Sequence, residues 1–188
     1  KRVAEGETGD VIVTTSGGIE GLAKAGKVTA GTSAPVARSQ VGLAVRKGAP
    51  RPDISTPEAL KQTLLAAKAI AYSDPAGGGA SGIHLAKVLD RVGIAQQVNA
   101  RARLGRAVPN AAAVVTGEAD IAVQQIPELL AVPGVEVIGP LPGDLGNTTT
   151  FSAAVLATTR DPAAAKALVD FLRSPETVAT LKAKGFEM

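Results

Sequence analysis

The sequence predicts an α/β fold with a mostly parallel sheet, and three observations support this prediction. Short apolar runs alternate with helical patterns along the 188 residues. The runs are a few residues long and do not alternate polar with apolar positions, as in parallel strands buried on both faces. Capping residues followed by proline mark the beginnings of several helices. Alternating strands and helices are typical of α/β proteins.

The strands are predicted from their apolar character. Four short runs read as buried strands, at residues 11–14, 69–72, 120–123 and 135–138. Two longer β-like stretches, residues 39–46 and 149–158, stand apart from them. We expect the four short strands to lie in parallel sheets.

The helices are predicted from their ends and their apolar stripes. Thr56, Asp161 and Ser174 each precede a proline and can cap a helix. After Ser81, apolar residues recur at the spacing of one helix face, which should pack on a sheet; they are Leu85, Val88, Leu89 and Val92.

Two segments rich in proline and glycine, residues 47–53 and 139–147, are predicted to be crossings between two lobes. The first lobe would contain residues 1–47 and 142–188, and the second lobe residues 48–141. Ligands of open α/β sheets bind beyond the carboxyl ends of the strands. We therefore expect the ligand in the cleft between the lobes.

The composition excludes several classes of function. The net charge is only +3 and aromatic residues make up 2%, so neither a basic face nor a stacking platform for nucleic acid is predicted. The chain has no cysteine and one histidine, His84, so we expect no metal site and no cofactor. No apolar run approaches the roughly 18 residues that span a bilayer, and the polar first ten residues contain no signal peptide.

The segment at residues 71–84, AYSDPAGGGASGIH, is the strongest candidate for a binding site. A strand ends, a glycine-rich loop follows, and a helix begins near Ser81, where free backbone N–H groups and the helix dipole favour an anion. The predicted ligand contacts here are Gly79, Ala80, Ser81 and Gly82. A capped helix behind a flexible loop is the plain alternative. The glycines also match G-x-G-x-x-G, but four residues separate them from the strand, which disfavours a dinucleotide site.

Further polar residues could face the same place. Thr15 and Ser16 follow the first strand and open a helix, and Gln124 and Gln125 end a later strand. Hydroxyl and amide groups can donate hydrogen bonds to an oxyanion or a carboxylate, although caps and solvated loops use the same residues. His84, in the first turn after the glycine loop, could donate to an anion or move a proton.

Four segments resemble the type II periplasmic solute-binding proteins, and in particular their molybdate-binding branch. They are GDVIVTTSGGIEGLAKAGKV, SDPAGGGASGIHLAKVLDRVGI, GEADIAVQQIPELL and the C-terminal DPAAAKALVDFLRSPETVATLKAKGFEM. The resemblance implies a two-lobed fold, a buried small oxyanion held by neutral donors, export to the periplasm, and delivery to the permease of an ABC transporter. It matches Ser81 and Val108 to ligand-facing positions of the family. We expect a monomer that inserts into no membrane.

The chain departs from that family in two ways. The resemblance implies that family members begin with a further strand–helix–strand unit, which we expect to be missing here, and that Gln125 falls where molybdate binders have a tyrosine. Gln124 and Gln125 instead resemble a side branch that includes an aconitate isomerase, which implies a carboxylate ligand and proton transfer, with His84 as the candidate catalytic residue. A cytoplasmic effector-binding regulatory domain is a third, weaker alternative.

Overall fold

The computed structural model describes residues 2–105 and 109–188. The chain forms two compact units: Lys1–Arg38 with Thr149–Met188, and Ser39–Thr148. The described residues contain seven strands, in chain order β1 (Val11–Thr15), β2 (Ala34–Arg46), β3 (Ile70–Ser73), β4 (Ala102–Gly105), β5 (Ile121–Gln125), β6 (Val135–Pro140) and β7 (Thr148–Val155).

Eight α-helices lie between and after these strands in the described residues. They are α1 (Ser16–Lys24), α2 (Pro57–Ala66), α3 (Ala80–Arg91), α4 (Ala95–Asn99), α5 (Ala112–Thr116), α6 (Ile126–Leu130), α7 (Pro162–Phe171) and α8 (Pro175–Ala183). Short 3-10 helices occupy Pro75–Gly77 and Gly143–Leu145. None of the helices in the described residues is long and apolar enough to cross a membrane.

The first unit is built on β1, β7 and the beginning of β2. β1 and β7 pair antiparallel, from Val11 opposite Val155 to Thr15 opposite Phe151. The Phe151 ring meets the Phe186 ring edge to face, with centroids 6.3 Å apart. The predicted caps hold: Asp161 and Ser174 accept hydrogen bonds from the first turns of α7 and α8.

The second unit has the strand order β2-β5-β3-β4, with β6 paired to the other side of β2. β3 lies between β5 and β4 and is parallel to both. The stripe predicted after Ser81 packs against this sheet, and its residues join one apolar core with Tyr72 and Val123. Thr56 caps α2 as predicted, and Gly93 follows α3 with a φ of +73°, which suits a glycine.

The α/β class predicted from the sequence is confirmed, but the sheet is mixed. Parallel pairing joins β3, β4 and β5, whereas β1 pairs antiparallel with β7, and β2 pairs antiparallel with β5 and β6. The prediction that residues 11–14 and 135–138 form buried parallel strands is therefore wrong. Both strands are only partly buried, and Val13 is 52% exposed. Water on one face is usual for antiparallel strands.

Candidate functional site

The ends of β3, β4 and β5 define one edge of the second unit. Because these strands are parallel, with Ser73 opposite Gly105 and Tyr72 opposite Val123, their carboxyl ends reach the same edge. The next α-helix along the described chain is α3 after β3, α5 after β4, and α6 directly after β5. This edge, hereafter the carboxyl edge, is where ligands of α/β sheets are usually bound.

The loop after β3 ends in the glycine run and delivers the chain to α3. The Asp74 carboxylate accepts a hydrogen bond from Ala76 N–H at 2.9 Å and so caps the 3-10 helix Pro75–Gly77. Gly78 then adopts a left-handed conformation with a φ of +84°, which glycine accepts at little cost. Gly79 is the N-cap of α3 and has no side chain to satisfy the first-turn N–H groups.

The beginning of α3 lies unusually close to the end of β3. A Cβ atom on Gly82 would be 2.0 Å from the Ser73 carbonyl oxygen, so only glycine fits there. The preceding residue, Ser81, is buried and only 3% exposed. No described residue hydrogen-bonds its hydroxyl or caps the N–H groups of Ala80, Ser81 and Gly82. Free N–H groups at a helix beginning, with a hydroxyl beside them, can hold a small anion.

Asn110 ties the end of β4 to the end of β3. Its side-chain Nδ2 donates to Ser73 Oγ at 3.0 Å. A Cβ on Gly105 would come within 1.5 Å of Asn110 Oδ1, so the absence of a side chain on Gly105 makes room for the amide. The start of the segment leading to α5 is therefore fixed against the neighbouring strands.

Gln124 is buried completely and both ends of its amide bond to the protein. Its Oε1 accepts from Ala111 N–H at 2.9 Å, and its Nε2 donates to Glu128 Oε2 at 3.1 Å. Glu128 Oε2 also accepts from Gln125 N–H at 3.3 Å, which forms a capping box at the beginning of α6. Burial raises the pKa of the Glu128 carboxyl, and the hydrogen bonds from Gln125 and Gln124 offset part of that rise.

Sequence reasoning did not single out Glu128 as a functional residue. The pattern that could have identified it is Gln125 followed three residues later by an acid, which is the spacing of a capping box. The successive amides of Gln124 and Gln125 were predicted to contact the ligand, but the Gln124 amide hydrogen-bonds within the protein.

His84 lies in α3 and bonds to another part of the second unit. Its ring Nε2 lies 2.8 Å from the Leu145 carbonyl oxygen, in the 3-10 helix Gly143–Leu145. Two turns further along α3, Arg91 forms an ion pair with Asp144. The two residues attach α3 to this short helix, which gives His84 a structural task.

Thr15 and Ser16 lie in the first unit, at the junction of β1 and α1. Thr15 Oγ1 accepts from Gly18 N–H at 3.2 Å and caps α1. The Ser16 hydroxyl lies 2.8 Å from the hydroxyl of Ser152 and 3.3 Å from the Thr150 carbonyl. The remaining predicted contacts, Gly79, Ala80, Ser81, Gly82, Gln124 and Gln125, belong to the second unit, and Val108 lies outside the described residues.

Two depressions of the second unit are lined by none of the predicted contacts. One, of about 560 Å³, is lined by residues at the opposite end of β5, among them Arg46, Ala67 and Ile121. The other, of about 570 Å³, includes Gln40, Ser55 and Asn147. Within residues 2–105 and 109–188, no group of three or more His, Asp or Glu side chains could hold a metal ion.

Comparison with known proteins shows both the family and the fold. The family model described as bacterial extracellular solute-binding protein matches residues 1–187. An aconitate isomerase of a Pseudomonas species is 35% identical over 187 residues, which cover 99% of this chain and 70% of that protein.

Two solved structures share the fold at low sequence identity. The periplasmic molybdate-binding protein of Azotobacter vinelandii has a TM-score of 0.79 at 18% identity, over 100% of this chain and 81% of that one. The sulfate-binding protein SubI of Mycobacterium tuberculosis H37Rv has a TM-score of 0.70 at 22% identity, over 98% of this chain and 70% of that one. Since the family model covers almost every residue, the chain belongs to the bacterial extracellular solute-binding proteins.

Proposed function

We propose that the protein is an extracytoplasmic solute-binding protein that holds a small anion at the beginning of α3 and delivers it to the permease of an ABC transporter. The observation that supports this most is the buried Ser81, next to uncapped N–H groups, behind the glycines that allow α3 to approach β3. Neutral donors of this kind bind a desolvated anion through charge-assisted hydrogen bonds. Thr15, Ser16, Gln125 and Val108 remain predicted contacts.

The hydrogen-bond donors of the site and the similarity to an aconitate isomerase both indicate which class of anion the protein binds. The proposed donors are neutral and aromatic residues are few, which suits an oxyanion or a carboxylate and disfavours a ring-shaped ligand. The aconitate isomerase relative favours a carboxylate. We expect the protein to be monomeric and periplasmic, and size-exclusion chromatography with light scattering tests the first of these expectations.

Isothermal titration with molybdate, tungstate, sulfate and aconitate tests the proposal. Wild-type protein should release heat with at least one of them. Ser81→Ala should raise the Kd for that anion about 10- to 100-fold, since hydrogen bonds to charged groups contribute about 1.5–3 kcal/mol. Ser33 is exposed, so Ser33→Ala is the matched control and should bind like wild type. Absence of heat with every anion, from protein expressed from its complete reading frame, would contradict the proposal.

A second candidate function is an isomerase that moves the double bond of a tricarboxylate. It is favoured by the relative whose name states that activity, at 35% identity across this chain. A coupled assay of cis- and trans-aconitate interconversion tests it, and a wild-type protein that binds aconitate without converting it would exclude it.

His84 is the residue that sequence reasoning assigned to proton transfer. If its main task is the hydrogen bond to Leu145, His84→Ala should lose about 1 kcal/mol of stability and keep its interconversion rate. Loss of activity in a variant that remains folded would instead give His84 a part in the chemistry. Circular dichroism melting and the aconitate assay measure the two effects.

A further inference from the structure

The carboxyl edge includes one acid that is held by buried polar groups. Glu128 lies in the first turn of α6, directly after β5, and its Oε2 accepts hydrogen bonds from Gln124 Nε2 and Gln125 N–H. Within the described residues its second oxygen, Oε1, accepts no hydrogen bond. One oxygen is thus held by the protein, and the other has no partner among the described residues.

The position of this carboxyl is set from two sides. Gln124 is fully buried and also accepts from Ala111 N–H at 2.9 Å, so the amide that holds Glu128 is itself held by the segment that opens α5. Asn110, next in sequence to Ala111, bonds to Ser73 at the end of β3. Two sets of hydrogen bonds, joined through the peptide bond between Asn110 and Ala111, therefore connect the end of β3 with the Glu128 carboxyl.

The protonation of Glu128 suits proton transfer. Burial raises the pKa of the carboxyl from its ordinary value, and its two hydrogen bonds only partly reverse that rise. A carboxylate with a raised pKa is a stronger base, and general bases work best when their pKa lies near the working pH. Perturbed acids of this kind gather at functional sites.

Two other candidates for proton transfer, His84 and Tyr72, form hydrogen bonds elsewhere in the second unit. His84 contacts the Leu145 carbonyl through Nε2. The Tyr72 hydroxyl donates to Asn99 Oδ1 at 2.5 Å, and its ring is buried in the apolar core. Neither ring hydrogen-bonds to Gln124 or Glu128.

We propose that Glu128 is the catalytic base and acid of the isomerase, and that Gln124 is its positioning residue. This inference rests on the isomerase as the second proposed function. The Glu128 carboxylate removes a proton from the methylene carbon next to the double bond of the substrate. The C–H electron pair forms the new double bond while the old one opens, and the resulting carboxylic acid returns the same proton to the far carbon. No electron is gained or lost and no co-reactant is needed.

Replacement of Glu128 by glutamine tests the proposal. The variant Glu128→Gln keeps the length of the side chain and an oxygen that can accept from Gln125 N–H, but it cannot carry the proton. We expect the rate of cis/trans-aconitate interconversion to fall about 100-fold or more, while the Kd for aconitate changes less than threefold. Glu58 lies in the first turn of another helix, α2, and is exposed; Glu58→Gln is the matched control and should react like wild type.

Two further measurements separate a chemical role from a structural one. Glu128→Asp keeps the carboxyl but withdraws it by one methylene, so its rate should lie between those of the wild type and the glutamine variant. Gln124→Glu should keep the shape of the side chain but repel the Glu128 carboxylate, which should displace the pH profile of kcat/KM to higher pH. Thermal melting of each variant shows whether it is folded.

The outcomes distinguish this proposal from the function on which it rests. Glu128→Gln that converts aconitate within threefold of wild type overturns the role of Glu128 and leaves the isomerase intact. Wild-type protein that binds aconitate but does not convert it overturns both the isomerase and this role, and leaves anion binding intact. Wild-type protein that binds no anion overturns the binding site itself.

Discussion

Gly82 decides whether α3 can begin where it does. Alanine at a helical position usually stabilises by about 0.5–1 kcal/mol over glycine. At Gly82, however, the new Cβ would lie 2.0 Å from the Ser73 carbonyl, and overpacking of this kind costs about 1–3 kcal/mol. The clash should therefore prevail, because a carbonyl of a central strand cannot move aside easily.

We expect Gly82→Ala to destabilise the protein by about 1–2 kcal/mol and to weaken anion binding, because the first turn of α3 must shift. Gly77, in the same loop, has open space around its Cβ position and no positive φ. Gly77→Ala is therefore the matched control and should change stability by less than about 0.5 kcal/mol. Chemical denaturation and titration calorimetry measure both effects. A Gly82→Ala variant as stable as Gly77→Ala would show that α3 does not lie so close to β3.

At the scale of single residues, the glycine run before Ser81 led us to expect a close approach of the backbone to a ligand, and this remains a prediction. The close approach in the structure is a different one, between Gly82 and the Ser73 carbonyl oxygen. Glu128 was not predictable as a functional residue, because the burial that raises its pKa and its hydrogen bond with Gln124 exist only in the folded chain. Gln124 in turn connects β5 with the start of α5 through Ala111.

The short helix α6 depends on its capping box. Its five residues could not form a stable helix alone, and Glu128 closes the box by accepting from Gln125 N–H. The same burial that fixes the carboxyl raises its pKa. The folded state therefore binds a proton at Glu128 more tightly than the unfolded state does.

A pH dependence of stability follows from this difference. Because the folded pKa is raised, the stabilisation is fully present below the unfolded value of about 4.3 and is lost as pH rises through the folded pKa. Glu128→Gln removes the titration. The free energy of unfolding of wild type, relative to that of Glu128→Gln, should fall as pH rises from 4 to 7. Urea titrations of both proteins at several pH values measure it, and a difference that stays constant or grows would show that burial does not raise this pKa.

The elements themselves were predicted unevenly, for physical reasons. Helix beginnings at Thr56, Asp161 and Ser174 were clear, because a cap followed by proline is a local signal. Strand direction was not, because short apolar runs look alike in parallel and antiparallel sheets. β1 and β6 were assigned to parallel sheets, yet they pair antiparallel with β7 and β2.

The chain as a whole consists of two units, each with its own apolar core. The second unit brings the glycine loop, Asn110 and Gln125 to one edge, since its central strands are parallel. This arrangement follows from strand–helix alternation and was predictable. The predicted contacts Thr15 and Ser16 belong to the first unit, where both hydroxyls are used in local hydrogen bonds. Their contribution to ligand binding remains a prediction.

The proposed function requires that a small anion binds the N–H groups at the beginning of α3. Two-dimensional ¹⁵N–¹H NMR during titration with aconitate, molybdate or sulfate tests it most directly, because it observes those amides one by one. We expect the largest chemical-shift changes at Ala80, Ser81 and Gly82, with half-saturation at the Kd found by calorimetry. Saturable shifts confined to other places, such as the depression around Arg46 and Ile121, with the three amides unchanged, would contradict it.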